Sequence, residues 1–355
     1  MLLQSWFAAF SVSVISTPFI IKFAEKFGFV DHPGVRKIHG KKMPLLGGLA
    51  IFVGFVTGLV LLEHYYLLNK IHLSILTGSL IVVITGMLDD KYELSPLLKM
   101  TGQLLAAGVV IFYGNMLIES IDLPLHLQLS FGIFSIPITI LWITGVTNAM
   151  NLIDGLDGLS AGVSAIALAA IAGMALIKED HYVFTISSLL ICAISGFLPY
   201  NFHPAKIFLG DTGSLFLGYM ISVLALLGFK NITFISFIVP ILILGVPLSD
   251  TLLAIIRRIV NRMPISRADR SHLHHRLLHL GFTHRQTVVL IYCMSALFAL
   301  AAFIFSLTTV WGSIFLLCII VLVLELLIEK TGLIHKKYKP LLRMIELWKF
   351  RRRIR

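Results

Sequence analysis

The sequence predicts an all-α polytopic membrane protein of about eleven transmembrane helices, N-terminus outside and C-terminus cytoplasmic, with a short extracellular β-strand or hairpin near residues 120–130. Three observations carry that prediction. The chain is 355 residues long, 57% hydrophobic and only 13% charged, too apolar for a soluble domain of this size. Apolar runs of about seventeen to twenty-two residues, long enough for a hydrocarbon core of about 30 Å, recur from end to end. Lys and Arg are concentrated in alternate connections between those runs.

The runs fall at about 2–24, 45–62, 72–88, 97–114, 131–148, 160–177, 182–199, 213–229, 232–252, 286–306 and 310–328. The first lacks the basic start and small-residue cleavage site of a signal peptide, so it reads as a retained span. Segments 22–44, 89–99, 199–214, 256–286 and 330–355 hold 26 of the 29 basic residues, and the opposite side keeps Lys70, Lys178 and Lys230. By the positive-inside rule the basic side is cytoplasmic. Residues 1–330 then form one transmembrane domain with cytoplasmic loops, and 331–355 a basic cytoplasmic tail. The net charge of +11 belongs to one face, where it favours anionic headgroups of the lipid bilayer rather than nucleic acid. Cys192, Cys293 and Cys318 fall inside predicted spans and imply no disulfide framework.

The first cytoplasmic loop, Asp31 to Gly48, carries Arg36, Lys37, His39, Lys41 and Lys42 among Pro and Gly residues that oppose a simple helix. Such a loop suits phosphate, although basic residues here are also the ordinary topology signal. The third span ends in Asp89-Asp90, adjacent carboxylates that repel unless a proton or cation is near. Lys91 and Lys99 are the cations at hand, and the stem of Lys99 can lie along the membrane border. Between residues 121 and 130 apolar and polar residues alternate, which gives the expected strand or hairpin, with Pro124 suited to an edge.

The segment Asn148-Ala-Met-Asn-Leu-Ile-Asp-Gly-Leu-Asp-Gly-Leu159 sets amides and carboxylates beside long apolar runs. Steps of three place Asn148, Asn151 and Asp154 on a slowly turning strip of one helix, and Gly155 and Gly158 predict that the helix ends near Asp154. A capped helix end is the plain alternative, but ionisable groups in membrane segments are functional candidates by default. After the seventh span, Asn201 to Ser214 contains Asp211, either an N-cap or a carboxylate able to share a metal with phosphate oxygens. Asp250, in the ninth span, is expected to neutralise Arg257 or Arg258. The loop 256–286 holds His272, His274, His275 and Arg276, which fit a sugar diphosphate better than zinc, since no Cys or clean ligand spacing accompanies them.

All these motifs end on the same side under a topology derived from Lys and Arg alone, so they can converge on one cleft. The set Asp31–Gly48, Asp89-Asp90, Asn148–Leu159, Phe208–Ser214 and His272-Leu-His-His-Arg276 resembles the polyprenyl-phosphate N-acetylhexosamine-1-phosphate transferases, over about residues 15–330. Within them it is most similar to the bacterial members that use UDP-GlcNAc and start the teichoic-acid linkage unit. The resemblance implies transfer of GlcNAc-1-phosphate from UDP-GlcNAc to undecaprenyl phosphate with release of UMP, in a bacterial plasma membrane, with the active site on the cytoplasmic face. It implies Mg²⁺, for which Mn²⁺ can substitute, held by Asn151 and Asp211 with Asp154 close by. It further implies Asp157 and the Gly155 backbone facing uracil, Lys99 the diphosphate, and His274, His275 and Arg276 the sugar diphosphate. Asp89 and Asp90 match its essential acid pair, and a homodimer is a family-based expectation. The competing readings are a transporter for an anionic solute, whose acids would line a path, and a non-catalytic scaffold.

Overall fold

The computed structural model describes residues 1–32, 42–62, 69–123, 127–228, 234–264, 272–331 and 340–344. It opens with α1 (Leu2–Phe27), the two-residue strands β1 (Val30–Asp31) and β2 (Met43–Pro44), and α2 (Gly47–Val60). Then come α3 (Lys70–Tyr92), α4 (Pro96–Gly108), β3 (Ser120–Leu123), β4 (Leu127–Ser130) and α5 (Ser135–Leu152). The second half runs α6 (Leu159–Ile177), α7 (His181–Asn201), α8 (Gly210–Gly228), α9 (Phe234–Ile243), α10 (Gly245–Val260), α11 (Leu273–His279), α12 (His284–Leu307) and α13 (Val310–Thr331).

Nine helical stretches among the described residues are long and apolar enough to cross a membrane. They are α1, α3, α6, α7, α8, α12, α13, α4 with the turn Val109–Tyr113 that continues it, and α5 with the turn Gly132–Phe134 before it. The chain is therefore a polytopic, nearly all-helical protein. Of the expected eleven spans, 45–62 is a shorter apolar helix, α2. The expected single span 232–252 is corrected by the structure: the chain breaks at Leu244 into α9 and α10. Pro240 and Pro247 each remove a helical donor and Gly245 weakens the junction, which is why an apolar run of sufficient length does not form one rod. The hairpin is present, with β3 and β4 antiparallel in the register Ser120↔Ser130 to Leu123↔Leu127. Pro124 lies outside the described residues.

Helix α8 is the axis of the bundle. Every residue from Thr212 to Ala225 is buried, and the helix packs against α2, α3, α5, α6 and α7. An all-round apolar helix with small residues is what such a position needs. Backbone meets backbone at Gly48 of α2, where a Cβ would collide with the main chain of Gly213. The chain entering α2 is stitched to the chain entering α8: Phe208 N–H donates to Pro44 O (2.9 Å), Gly47 N–H to Phe208 O (3.0 Å) and Gly48 N–H to Leu209 O (2.9 Å). Since β1 pairs with β2, both ends of the first basic loop are anchored beside the start of α8. At the periphery, α13 packs on α12 and leaves Trp311, Phe315 and Leu322 exposed, as a lipid-facing helix does. Its buried Glu329 accepts the amides of Leu341 (2.6 Å) and Leu342 (2.7 Å), which folds the helical turn 340–344 back onto it.

Gly48→Ala is expected to cost about 1–3 kcal/mol by overpacking. A lowered unfolding midpoint in detergent checks this, and an unchanged midpoint would mean that α2 and α8 are not in backbone contact.

Candidate active site

The acid pair at the end of α3 is divided between two tasks. Asp90 accepts the amides of Asp211 (2.8 Å) and Thr212 (3.1 Å) and the hydroxyl of Thr212 (2.6 Å). It caps α8 from another helix, at a point where Gly210 turns with φ +73° and the first amides of α8 lack partners of their own. Asp211 is thus not its own helix's cap, and its carboxylate is free for other work. Asp89 instead meets the Lys99 ammonium at 2.7 Å, and its Oδ1 is buried with no hydrogen-bond partner among the described residues.

Lys99 also pairs with Asp211, so one cation bridges α3 and α8 from its place near the start of α4. The other oxygen of Asp211 accepts from Asn151 Nδ2 at 2.9 Å, and the same amide donates to Ser214 Oγ at 2.8 Å. Segments separated by 60 residues in sequence are therefore in direct contact. Asp154 stands in the loop 153–158, where α5 has ended as the glycines predicted. Burial first, and then the carboxylates of Asp211, Asp90 and Asp157, push its carboxyl well above the ordinary range. These are hard oxygen donors, crowded around one positive charge, with a buried carboxylate oxygen left over. That donor set fits a hard divalent cation, which prefers carboxylate, amide and phosphate oxygens.

The acids border a cavity of about 760 Å³ lined also by Gly155, Asp157, Asn201, His203, Phe208, His275 and His284 on one side and by Gly28, Val30, Lys91 and Tyr92 on another. Asp157 fastens two loops: its Oδ2 accepts from His203 Nδ1 (2.7 Å) and Ala205 N–H (3.2 Å), while its own amide donates to His284 Nε2 (3.0 Å). The adjacent Gly158 amide donates to Asn201 Oδ1 (3.1 Å). Asp157, His203 and His284 place ligand atoms within 4.8 Å of one another. Their arrangement is nonetheless that of a hydrogen-bonded network. The His284 lone pair is taken by an amide, and the two rings stack at 4.1 Å and 20°, so their in-plane lone pairs run side by side rather than converging.

Helix α11 closes the site. His274 presses Nε2 against Gly155, so tightly that a Cβ there would collide with the ring. His274 is 3% exposed, and burial first, then His275, drives its pKa down to about 3 against a smaller opposing pull from Asp250. It is a neutral imidazole at physiological pH. His275 lies beside it, with ring centroids 4.2 Å apart and planes tilted by 43°, and reaches the cavity.

Two expectations are placed differently. Asn148 exchanges hydrogen bonds with Gln103 of α4 (2.7 and 3.3 Å) and donates to Thr144 O, tying α5 to α4 rather than facing the cavity. His272 is buried against Asp250, which corrects the expected pairing of Asp250 with arginine. Arg276 belongs to α11, with its Nε buried and unpartnered among the described residues. Arg36, Lys37 and His39 lie outside the described residues.

Residues 72–229 match the family described as glycosyl transferase family 4. The chain is 46% identical, over 94% of its length and 94% of the relative's, to the probable undecaprenyl-phosphate N-acetylglucosaminyl 1-phosphate transferase of Bacillus subtilis. It belongs to glycosyl transferase family 4. It is also 33% identical, over 82% of the chain and 79% of the relative, to the decaprenyl-phosphate N-acetylglucosaminephosphotransferase of Mycolicibacterium smegmatis. With the undecaprenyl-phosphate alpha-N-acetylglucosaminyl 1-phosphate transferase of Pasteurella multocida it shares 32% identity, covering 84% of the chain and 85% of the relative.

Sequence reasoning missed two residues at the cavity of this glycosyl transferase family 4 protein, His203 and His284, and the Gln103 that holds Asn148 away from it. Only His284 carried a usable signal. Thr283 and Gln286 form a capping box that marks a helix start on the basic side, and His284 lies in that first turn. His203 and Gln103 act through partners 46 and 45 residues away, which no local pattern discloses.

His274 gives a signed pH prediction. Its folded pKa is below the unfolded value of 6.5, so its contribution is intact above pH 6.5 and is lost as pH falls toward about 3. Between pH 7.5 and 5 the wild type is expected to lose about 2 kcal/mol more stability than His274→Gln. Thermal unfolding in detergent at the two pH values checks this, and parallel losses would contradict a buried neutral ring.

Proposed function

We propose that the protein transfers GlcNAc-1-phosphate from UDP-GlcNAc to undecaprenyl phosphate, giving undecaprenyl-diphosphate-GlcNAc and UMP, as the first membrane step toward teichoic acid or a related surface polymer. The observation that carries this reading is the meeting of Asp89, Asp90, Asp154 and Asp211 with Lys99 and Asn151 at one end of the bundle, beside an open cavity. The acids lie at helix ends rather than along a path through the bundle, which favours an enzyme over a transporter. The names of the relatives point to the same reaction.

In the reaction an oxygen of the lipid phosphate forms a bond to the β-phosphorus, and the bond from that phosphorus to the bridging oxygen breaks, so UMP leaves with the bond's electrons. Such a transfer asks a protein mainly for alignment and charge neutralisation. Asp90 is committed to α8 and so serves as an anchor. Asp89, with one oxygen on Lys99 and one unpartnered, is the carboxylate available to take the last proton of the lipid phosphate. Lys99 neutralises the acids and faces the incoming phosphates. His275 and Arg276 hold the sugar diphosphate against the Gly155 backbone. Asp211 and Asn151 would hold Mg²⁺, with Asp154 beside them. When bound, that ion offsets charge building on the departing UMP.

Counting α2 as a short crossing and α9 with α10 as one broken crossing gives eleven passes. Together with the distribution of Lys and Arg, that count supports a reading in which the amino terminus is outside and the cavity opens to the cytoplasm at a bacterial plasma membrane.

Purified protein supplied with UDP-GlcNAc and undecaprenyl phosphate is expected to release UMP and form a diphosphate-linked lipid sugar, read by mass spectrometry. Asp211→Asn and Asp90→Asn should each lower turnover by about 100-fold or more while leaving a folded protein. Wild-type turnover in either variant would remove the site assignment. Activity should vanish in excess EDTA and return with Mg²⁺ or Mn²⁺, and full activity in the chelator would defeat the metal assignment.

A further inference from the structure

We infer that Asp250 is a positioning residue for the nucleotide-sugar half of the site, acting through His272 on helix α11. The inference rests on the reading above in which α11 holds the sugar diphosphate. Asp250 is 4% exposed on α10, and a carboxylate in such a place costs several kcal/mol unless both oxygens find donors. Both do. Oδ2 accepts from His272 Nδ1 at 2.8 Å, and Oδ1 accepts the amide of Leu273 at 2.8 Å.

These contacts fall at the start of a seven-residue helix. A helix that short cannot hold itself, because nucleation consumes more conformational freedom than so few hydrogen bonds return. His272 stands at the N-cap with extended backbone and makes no side-chain cap bond, so the capping oxygen comes from Asp250, 23 residues earlier. Leu273 and Leu277 anchor one face of α11 in the core, and Asp250 sets its rotation and its first residue. Within the next three residues come His274, pressed on Gly155, His275, lining the cavity, and Arg276. A shift of α11 therefore moves the groups that meet the nucleotide sugar while leaving Asp89, Asp90 and Lys99 where they are.

The break at Leu244 makes this possible. As a separate helix, α10 turns Asp250 and Arg257, seven residues apart and hence on one face, into the protein, and leaves Leu252, Ile256 and Ile259 exposed. An unbroken rod continuing α9 would not be free to choose that face.

The test is steady-state kinetics of the full-length enzyme with each substrate varied in turn. Asp250→Ala is expected to raise KM for UDP-GlcNAc about tenfold or more while KM for undecaprenyl phosphate stays within about twofold. His272→Asn, whose amide N–H replaces Nδ1–H, should remain within about threefold of wild type, and His272→Ala should behave like Asp250→Ala. The double alanine variant should be no worse than either single one, as for two residues of one unit. If Asp250→Ala does not fold, Asp250→Asn carries the test, because it keeps shape and one acceptor and should raise the same KM by a smaller factor. Equal rises in both KM values, a fall in kcat alone, or wild-type kinetics in these variants would overturn the inference. Failure of the underlying reading is separate and visible beforehand, as absence of UMP release by the wild-type enzyme.

Discussion

The Asp90 carboxylate at the start of α8 is the contact on which the site depends. An apolar helix with no polar face must enter the bundle with its first amides satisfied, and here the acceptor comes from α3 rather than from the preceding residue. That choice has two effects. It fixes α8 against α3 at the level of the acids, and it releases Asp211 from the capping duty its position would otherwise impose. The released carboxylate then becomes the meeting point of Lys99 from α4 and Asn151 from α5.

The same economy governs the rest of the polar interior. Asp157 binds the loop after α7 through His203 and Ala205, Asp250 binds the start of α11, and Glu329 binds the turn after α13. Each is a carboxylate that accepts from backbone amides or imidazole N–H groups of another segment. In a chain with so few charges, an acid retained inside is retained with partners, since an unpartnered one would be expensive. Among the described acids, Asp89 has a buried Oδ1 without a hydrogen-bond partner, and the Asp154 carboxyl is pushed well above its ordinary range by burial and by neighbouring carboxylates. Both border the cavity, where a carboxylate oxygen without a protein donor is available to a cation.

The stitched entry to α2 and α8 brings the first loop into this arrangement. Backbone hydrogen bonds between residues 44–48 and 208–209 hold the ends of a basic loop next to Asp211 without using its side chains.

Composition and periodicity were enough to establish a polytopic helical protein, the hairpin at 120–130 and the end of α5 near Asp154. These follow from rules that act along the chain: hydrocarbon thickness, alternation in a strand and glycine at a helix end. They failed at 232–252, where length and hydropathy were right but prolines and a glycine divided the run, and at Asn148, whose helical strip pointed partly to Gln103. The division of labour between Asp89 and Asp90, the burial of His272 against Asp250, and the pairing of His203 with Asp157 were decided by tertiary structure alone. Adjacent residues in a sequence carry no record of which distant amide or ammonium each will meet, and in a low-dielectric interior that partner determines whether a carboxylate is an anchor or a reactive group.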